Sequence, residues 1–297
     1  MTDRARSRAL VEGYRDRPDA STRRLTVTVF GDAIGPRGGS IWLGELIELL
    51  AAFGVNERLV RTSVQRLVAE GVLRNERVGR RSRYALTDAA RIDARDAERR
   101  IYHGVGSEWD GRWTVVAVLP SDDPLPHDLG ARLGWRGFGE LRPGVHASPV
   151  IDAADAHRVL AELDVAERLV VMTSTADDDR RLADACFELV TLRRAYAELV
   201  ERYEPVAEEL GRTSTDDRLA FALRTLLVDD FRRVVLRDPE LPAPLLPDDW
   251  TGHQARAVAG RVYRAVREGA DRHLSAVSAE AGAPLPPPGE RVGLRFS

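Results

Sequence analysis

Hydrophobic positions recur at helical spacing in three successive segments near the N-terminus. The first runs from Thr22 to Ile34 with Leu25, Val29 and Phe30, and the second from Trp42 to Phe53 with Leu43, Leu46, Ile47 and Leu50. The turn Gly35-Pro36-Arg37-Gly38-Gly39 separates them. The third begins at Asn56, a good N-cap, has Val55 and Val60 placed as a hydrophobic staple, and stops at Gly71. Two short strands, Val72 to Val78 and Ser82 to Leu86, follow across Gly79-Arg80-Arg81. Three helices and a hairpin predict an N-terminal winged helix-turn-helix over residues 22–87, preceded by a flexible arm at 1–21.

Thr87 caps a charged stretch read as a linker helix over 88–106. The pattern then changes: Arg112 to Leu119 reads as a strand, Pro124 to Trp135 as a helix, Phe138 to Leu141 and Val145 to Ser148 as strands, Asp152 to Leu163 as a helix and Arg168 to Thr173 as a strand. The order β-α-β-β-α-β predicts a ferredoxin-like middle domain at 107–178. Helical patterns near 180–210, 216–237 and 252–279 predict a helical C-terminal domain for dimerisation and sensing over 179–279, and the proline-rich tail 280–297 reads as disordered. The fold class is α+β.

Composition narrows the function classes. All 44 basic residues are arginine, since the chain has no lysine, which excludes the usual Walker A loop and a pyridoxal-phosphate Schiff base. The single cysteine, Cys186, excludes an intrachain disulfide and a multi-cysteine zinc site, and the six histidines show no i, i+4 pairing, so no metal or cofactor is expected. No apolar run is long enough for a spanning helix, and the arginine-studded start lacks a signal-peptide core, so no membrane partner and a cytoplasmic location are expected. Residues 1–86 hold 16 arginines against 10 acidic residues, a net of +6, and the remainder carries −9. A basic head on an acidic body points to a localised polyanion-binding surface.

The chemistry of that surface is readable on the third helix. At 100° per residue, Arg58, Arg61, Thr62, Gln65 and Ala69 share a stripe about 100° wide, while Val60, Val64, Leu67 and Gly71 lie opposite. Arginine forks onto guanine, glutamine pairs with adenine and threonine meets a thymine methyl in the major groove, and the flanking Arg66 suits a phosphate. An ordinary solvated face would look similar on an isolated helix, but Arg77, Arg80, Arg81 and Arg83 on the hairpin add a wing-like cluster placed for the backbone or minor groove. Double-stranded operator DNA is the expected partner.

The run IWLGELIELLAAFGVNERLVRTSVQRLVAEGVLRNERVGRRSRYALT closely resembles the head of the PaaX family of bacterial repressors, which control phenylacetate degradation, and RLGWRGFGELRPGVHASP and RDPELPAPLLPDDWTGHQA fit the same family. The resemblance covers residues 22 to 275. It implies a winged helix, a middle domain like small CRISPR-associated nucleases, a helical C-terminal domain, and release from DNA by an aryl- or acyl-CoA thioester such as phenylacetyl-CoA. A homodimer is expected, since operators usually share a dimer's two-fold symmetry. An alternative is a metal-dependent nuclease, but the first middle-domain strand contains no acid, and Asp122 and Asp123 follow only beyond Pro120. A constitutive DNA-binding module is a third reading. For the effector, Arg237, Trp250 and His253 are candidates in a proline-rich loop, against the plainer reading of that loop as a strap with Trp250 plugged into the helical core.

Overall fold

A computed structural model describes residues 5–104, 109–121, 125–280 and 284–296. The chain opens with α1 (Ala5–Glu12) and α2 (Thr22–Val29), which Ser21 caps by accepting a hydrogen bond from the Arg24 N–H. A π-helical turn, Phe30–Ile34, prolongs α2. Next come β1 (Ser40–Trp42), α3 (Leu43–Ala51), α4 (Glu57–Ala69), β2 (Leu73–Val78), β3 (Arg81–Leu86) and α5 (Asp88–Glu98), the last extended by a second π-turn, Arg99–His103. The strands form an antiparallel sheet in the order β1-β3-β2. Leu25, Val29 and Phe30 of the α2 segment, Leu46, Leu49 and Leu50 of α3, and Val60, Val64 and Leu67 of α4 are all fully buried, as helical spacing requires.

The middle segment contains β4 (Trp113–Val118), α6 (Leu129–Trp135), β5 (Gly139–Arg142), β6 (Val145–Ser148), α7 (Ala153–Glu162) and β7 (Leu169–Ser174). Its sheet is antiparallel throughout, in the order β5-β6-β4-β7, so the β-α-β-β-α-β connectivity read from the sequence is present. Val116, Leu129, Leu133, Phe138, Leu160 and Leu169 form its core. Four helices follow: α8 (Asp179–Cys186), α9 (Leu189–Leu210), α10 (Asp217–Val235) and α11 (Gly252–Glu280). At Gly139 of β5 a Cβ would stand 2.5 Å from the Cys186 carbonyl oxygen, so only glycine admits α8 this close. None of the described helices is long and apolar enough to cross a membrane.

The compact units do not follow the chain. One comprises residues 1–104, 197–235 and 253–297; the other comprises 105–196 and 236–252. The N-terminal head therefore belongs to the same unit as α10 and α11, whereas the sequence reading put a sensor domain at 179–279 by itself.

A buried ion cluster joins segments of this unit that are distant in sequence. Asp32, in the first π-turn, is buried and accepts hydrogen bonds from Arg224 Nε of α10 at 2.8 Å, Arg295 Nη1 at 3.0 Å and the Tyr102 hydroxyl at 2.7 Å. Arg295 also donates to the Asp32 carbonyl and to Glu98, and its guanidinium lies 4.1 Å from the Tyr102 ring centre. Arg224 reaches on to Asp271 of α11 at 2.7 Å. Burial alone would raise the Asp32 carboxyl, but the two arginines and the Tyr102 hydroxyl hold it below its ordinary value of 3.8. The same burial and the Asp32 charge push the Tyr263 hydroxyl up to about 12.

Three expectations are corrected. Residues 284–296 are not a disordered tail: they place Arg295 and Phe296 in the core, and the Gly289 N–H donates to the Pro36 carbonyl at 3.2 Å. Residues 5–21 of the arm are ordered too, because Val11 and Tyr14 are buried and Arg17 Nη1 donates to Asp230 at 2.8 Å. The stretch after Thr87 is also more than a linker, since its π-turn supplies the buried Ile101 and Tyr102.

Removing one partner from a buried pair leaves the other charge uncompensated, typically costing about 3–5 kcal/mol. Arg295→Ala and Asp32→Asn are expected to destabilise the fold on that scale in urea unfolding followed by circular dichroism, and truncation after Ser278 to lower the melting temperature, as no disordered tail could. Because Asp32 is depressed in the folded state, its contribution is present above its unfolded value near 3.8 and disappears as pH falls through the lower folded value. Acid titration of stability should show that loss in the wild type and not in Asp32→Asn.

Candidate nucleic-acid interface

Helix α4 starts where Asn56 Oδ1 accepts the Leu59 N–H at 3.0 Å. Val55 and Val60 are buried on either side of the cap, as a staple requires. With Val60, Ser63, Val64 and Leu67 facing inward, the opposite side is fixed by geometry: Arg58, Arg61, Thr62, Gln65 and Arg66 are all exposed. The predicted stripe is thus assembled on one surface. Within it Arg61 Nε donates to Glu57 at 2.7 Å, and the Thr62 hydroxyl donates to the Arg58 carbonyl at 2.9 Å. Both residues of the Arg61–Glu57 pair are more than half exposed, so water weakens it and it presents little obstacle to a stronger anion.

The hairpin holds six paired positions, from Leu73 opposite Leu86 to Val78 opposite Arg81. Its base is buried through Leu73, Tyr84, Ala85 and Leu86, and its outer half, with Arg74, Arg77, Arg80, Arg81 and Arg83, is exposed. The turn is two residues, Gly79-Arg80, with Gly79 at φ 61°, the left-handed value a type II′ turn needs first. Arg80 alone therefore occupies the tip.

Arg81, expected beside it in the loop, is the first residue of β3. Its guanidinium lies 4.2 Å from the Trp42 ring centre, with Nη2 3.9 Å from Glu45 of α3, and Arg83 lies 6.0 Å from the same ring. Glu45 is buried, and that burial pushes its carboxyl above the usual range, with Arg81 and Arg83 opposing the shift. Sequence reading missed this arrangement because it began the second helix at Trp42, where the chain instead adds β1 to the hairpin, bringing Trp42 opposite Arg83.

The effector candidates are not assembled into one pocket by the described contacts. Trp250 packs edge-on to Tyr196, ring centres 5.6 Å apart, and the Tyr196 hydroxyl donates to Asp238 at 2.7 Å. Arg180 with Asp248 and Arg193 with Asp249 lace the same loop to α8 and α9. Arg237 is exposed in this unit, whereas the exposed His253 opens α11 in the other. These contacts tie the loop to α8 and α9, and Trp250 itself is half-buried. Strand β4 carries no carboxylate, and Asp122 and Asp123 lie outside the described residues.

Comparison with known proteins agrees along the chain. Residues 21–90 match the family described as PaaX-like protein, 106–185 the PaaX protein central Cas2-like domain, and 187–276 the PaaX-like protein C-terminal domain. The chain is 35% identical over 281 residues to the transcriptional repressor PaaX of Escherichia coli (strain K12), covering 92% of this chain and 89% of that one. A solved structure, the uncharacterized protein Rv0674 from Mycobacterium tuberculosis, is similar with a TM-score of 0.50 and 27% identity over 79% of this chain and 90% of that chain. With matched segments spread from residue 21 to residue 276 and a curated relative aligned over nine-tenths of its length, the chain belongs to the PaaX family.

Proposed function

We propose that this chain is a transcriptional repressor that binds double-stranded operator DNA through a winged helix formed by α2–α4 and the β1-β3-β2 sheet. Its α4 would enter the major groove, with Arg80 at the wing tip on the backbone or in the minor groove. The observation that carries this reading is the exposed Arg58–Arg61–Thr62–Gln65 stripe on a helix whose opposite side is buried, in a chain similar to a named repressor. The reading extends to a cytoplasmic homodimer on a palindromic site, released by an aryl- or acyl-CoA effector, with phenylacetyl-CoA the first to test. The nuclease alternative gains nothing from the carboxylate-free β4.

If the stripe reads bases, Arg61→Ala and Gln65→Ala should each weaken binding by about 1–3 kcal/mol to a duplex that the wild type selects from a random pool, and less to a scrambled duplex. Fluorescence anisotropy on both duplexes decides, and equal losses would refute base recognition. On the wing, Arg80→Ala should flatten the plot of log K against log salt by about 0.9, one phosphate's worth. Arg81→Ala should change that slope less, because its guanidinium is occupied by Trp42 and Glu45. A larger change for Arg81 than for Arg80 would reverse the assignment.

An effector can release DNA only by binding the DNA-free arrangement more tightly, and the usual coupling is about 1–3 kcal/mol. Calorimetric titration of phenylacetyl-CoA, phenylacetate and CoA with and without the selected duplex should show mutual weakening for the thioester alone. If none of the three shifts DNA affinity, the effector class is wrong while the DNA-binding reading stands. Arg237 and Trp250 remain proposed for that site, and a Trp250→Ala protein that responds like the wild type would place the ligand elsewhere.

A further inference from the structure

The arm carries an arginine whose placement is not accounted for by the fold. Tyr14 is buried, exchanges hydrogen bonds with the Ser21 backbone at 3.1 and 3.3 Å, and sets its ring edge-on to Phe53 at the end of α3, centres 6.1 Å apart. Three residues on, Arg17 is fixed to Asp230. Arg15 sits between these two anchors, so its backbone is held on both sides. Its side chain lies over Gly54, in the turn that leads into α4: a Cβ on Gly54 would stand 2.8 Å from Arg15 Cδ and 3.6 Å from Nη1. Gly54 also has φ 67°, so this turn both needs glycine and leaves room for the arginine stem.

Several arginines packed around the same unit have carboxylate partners. Arg17, Arg23, Arg24 and Arg37 each meet a carboxylate, and Arg295 is buried in the Asp32 cluster. Arg15 is exposed, and among the described residues its guanidinium has no hydrogen bond or ion pair. Packing does not explain it either, since the Gly54 contact is made by the stem. What the arrangement does provide is a cation held ready beside the entrance to the helix that bears Arg58 and Arg61. A held backbone lowers the ordering cost of a contact made there.

We propose that Arg15 is a DNA-backbone contact, a phosphate-binding position contributed by the arm. It lies outside the matched segment 21–90 and outside the winged helix itself. The inference rests on the proposed docking of α4 in the groove and adds to it a second point of attachment. The ligand is the phosphodiester, not a base, so Arg15 adds affinity without adding sequence preference.

The test uses the full chain, the selected duplex and the scrambled duplex, each titrated with salt. Arg15→Ala and Arg15→Gln should flatten the log K against log salt plot by about 0.9 on both duplexes, weakening them alike, and Arg15→Lys should restore the wild-type slope. The lysine variant separates lost charge from a disturbed arm, because a merely structural stem would be judged by melting temperature and not by charge. If Arg15→Ala keeps the wild-type slope while Arg80→Ala loses its 0.9, Arg15 does not touch DNA and this inference fails alone. A loss confined to the selected duplex overturns it as well, by making Arg15 a base contact. If the wild type binds neither duplex, the DNA-binding reading fails and carries this inference with it.

Discussion

A single carboxylate, Asp32, decides how the chain is partitioned. A buried carboxylate is tolerated only if paired and fully hydrogen-bonded, because stripping its water costs several kcal/mol. Asp32 meets that demand with groups from distant parts of the sequence: Tyr102 from the π-turn after α5, Arg224 from α10 and Arg295 from the C-terminal segment. The head cannot bury this side chain by itself. Helices assigned to a separate sensor therefore share a compact unit with the head, while the matched family segments still divide the chain into 21–90, 106–185 and 187–276. Both π-turns bear on the cluster, one carrying Asp32 and the other Tyr102. An extra residue in a helical turn re-aims a side chain locally, which is how such turns come to lie at special sites.

Local rules were legible in the sequence, and partners remote in sequence were not. The Asn56 cap, the staple, the inward valines of α4 and the β-α-β-β-α-β order each depend on spacing within a short window, and each stands as read. The segment 284–296 failed for the opposite reason. Its prolines and glycines give no periodicity, and what orders it is an aspartate at position 32. The arm failed likewise, since α1 buries only Ser7 and Val11 and its fixed points are Phe53 and Asp230. Strand β1 is three residues long, too short for alternation to register, and missing it misplaced Trp42 and with it Arg81.

The candidate interface was legible for the same reason that α4 was: a helix with one buried side leaves its other side determined. Counting charge was a cruder guide. The net of +6 for residues 1–86 includes Arg17, Arg24 and Arg37, which are turned inward onto Asp230, Asp229 and Asp271. A polyanion meets only the arginines left outside, chiefly those on α4 and the outer hairpin. An arginine-only basic set favours this division of labour. The guanidinium is planar, weakly hydrated and able to donate to two acceptors at once, so it can serve inside as a buried ion partner and outside as a phosphate or guanine fork.

The same geometry constrains how a distant signal could reach DNA. Coupling requires an element that both sites bias, with two arrangements of different affinity. Helix α10 qualifies by position: within seven residues, Arg224, Asp229 and Asp230 hold Asp32 after α2, Arg24 and Thr28 on α2, and Arg17 on the arm. Shifting α10 along its axis would have to break or re-pair several charge-assisted hydrogen bonds together, because packed ion clusters rearrange discretely and resist gradual strain. Helix α2 packs on α4 through the core that includes Val29 and Val64, so a rearranged α2 would reposition the arginine stripe without any change to the stripe itself. Under the proposed function, an effector would need no contact with the α4 stripe, only a preference for one pairing of α10 over another.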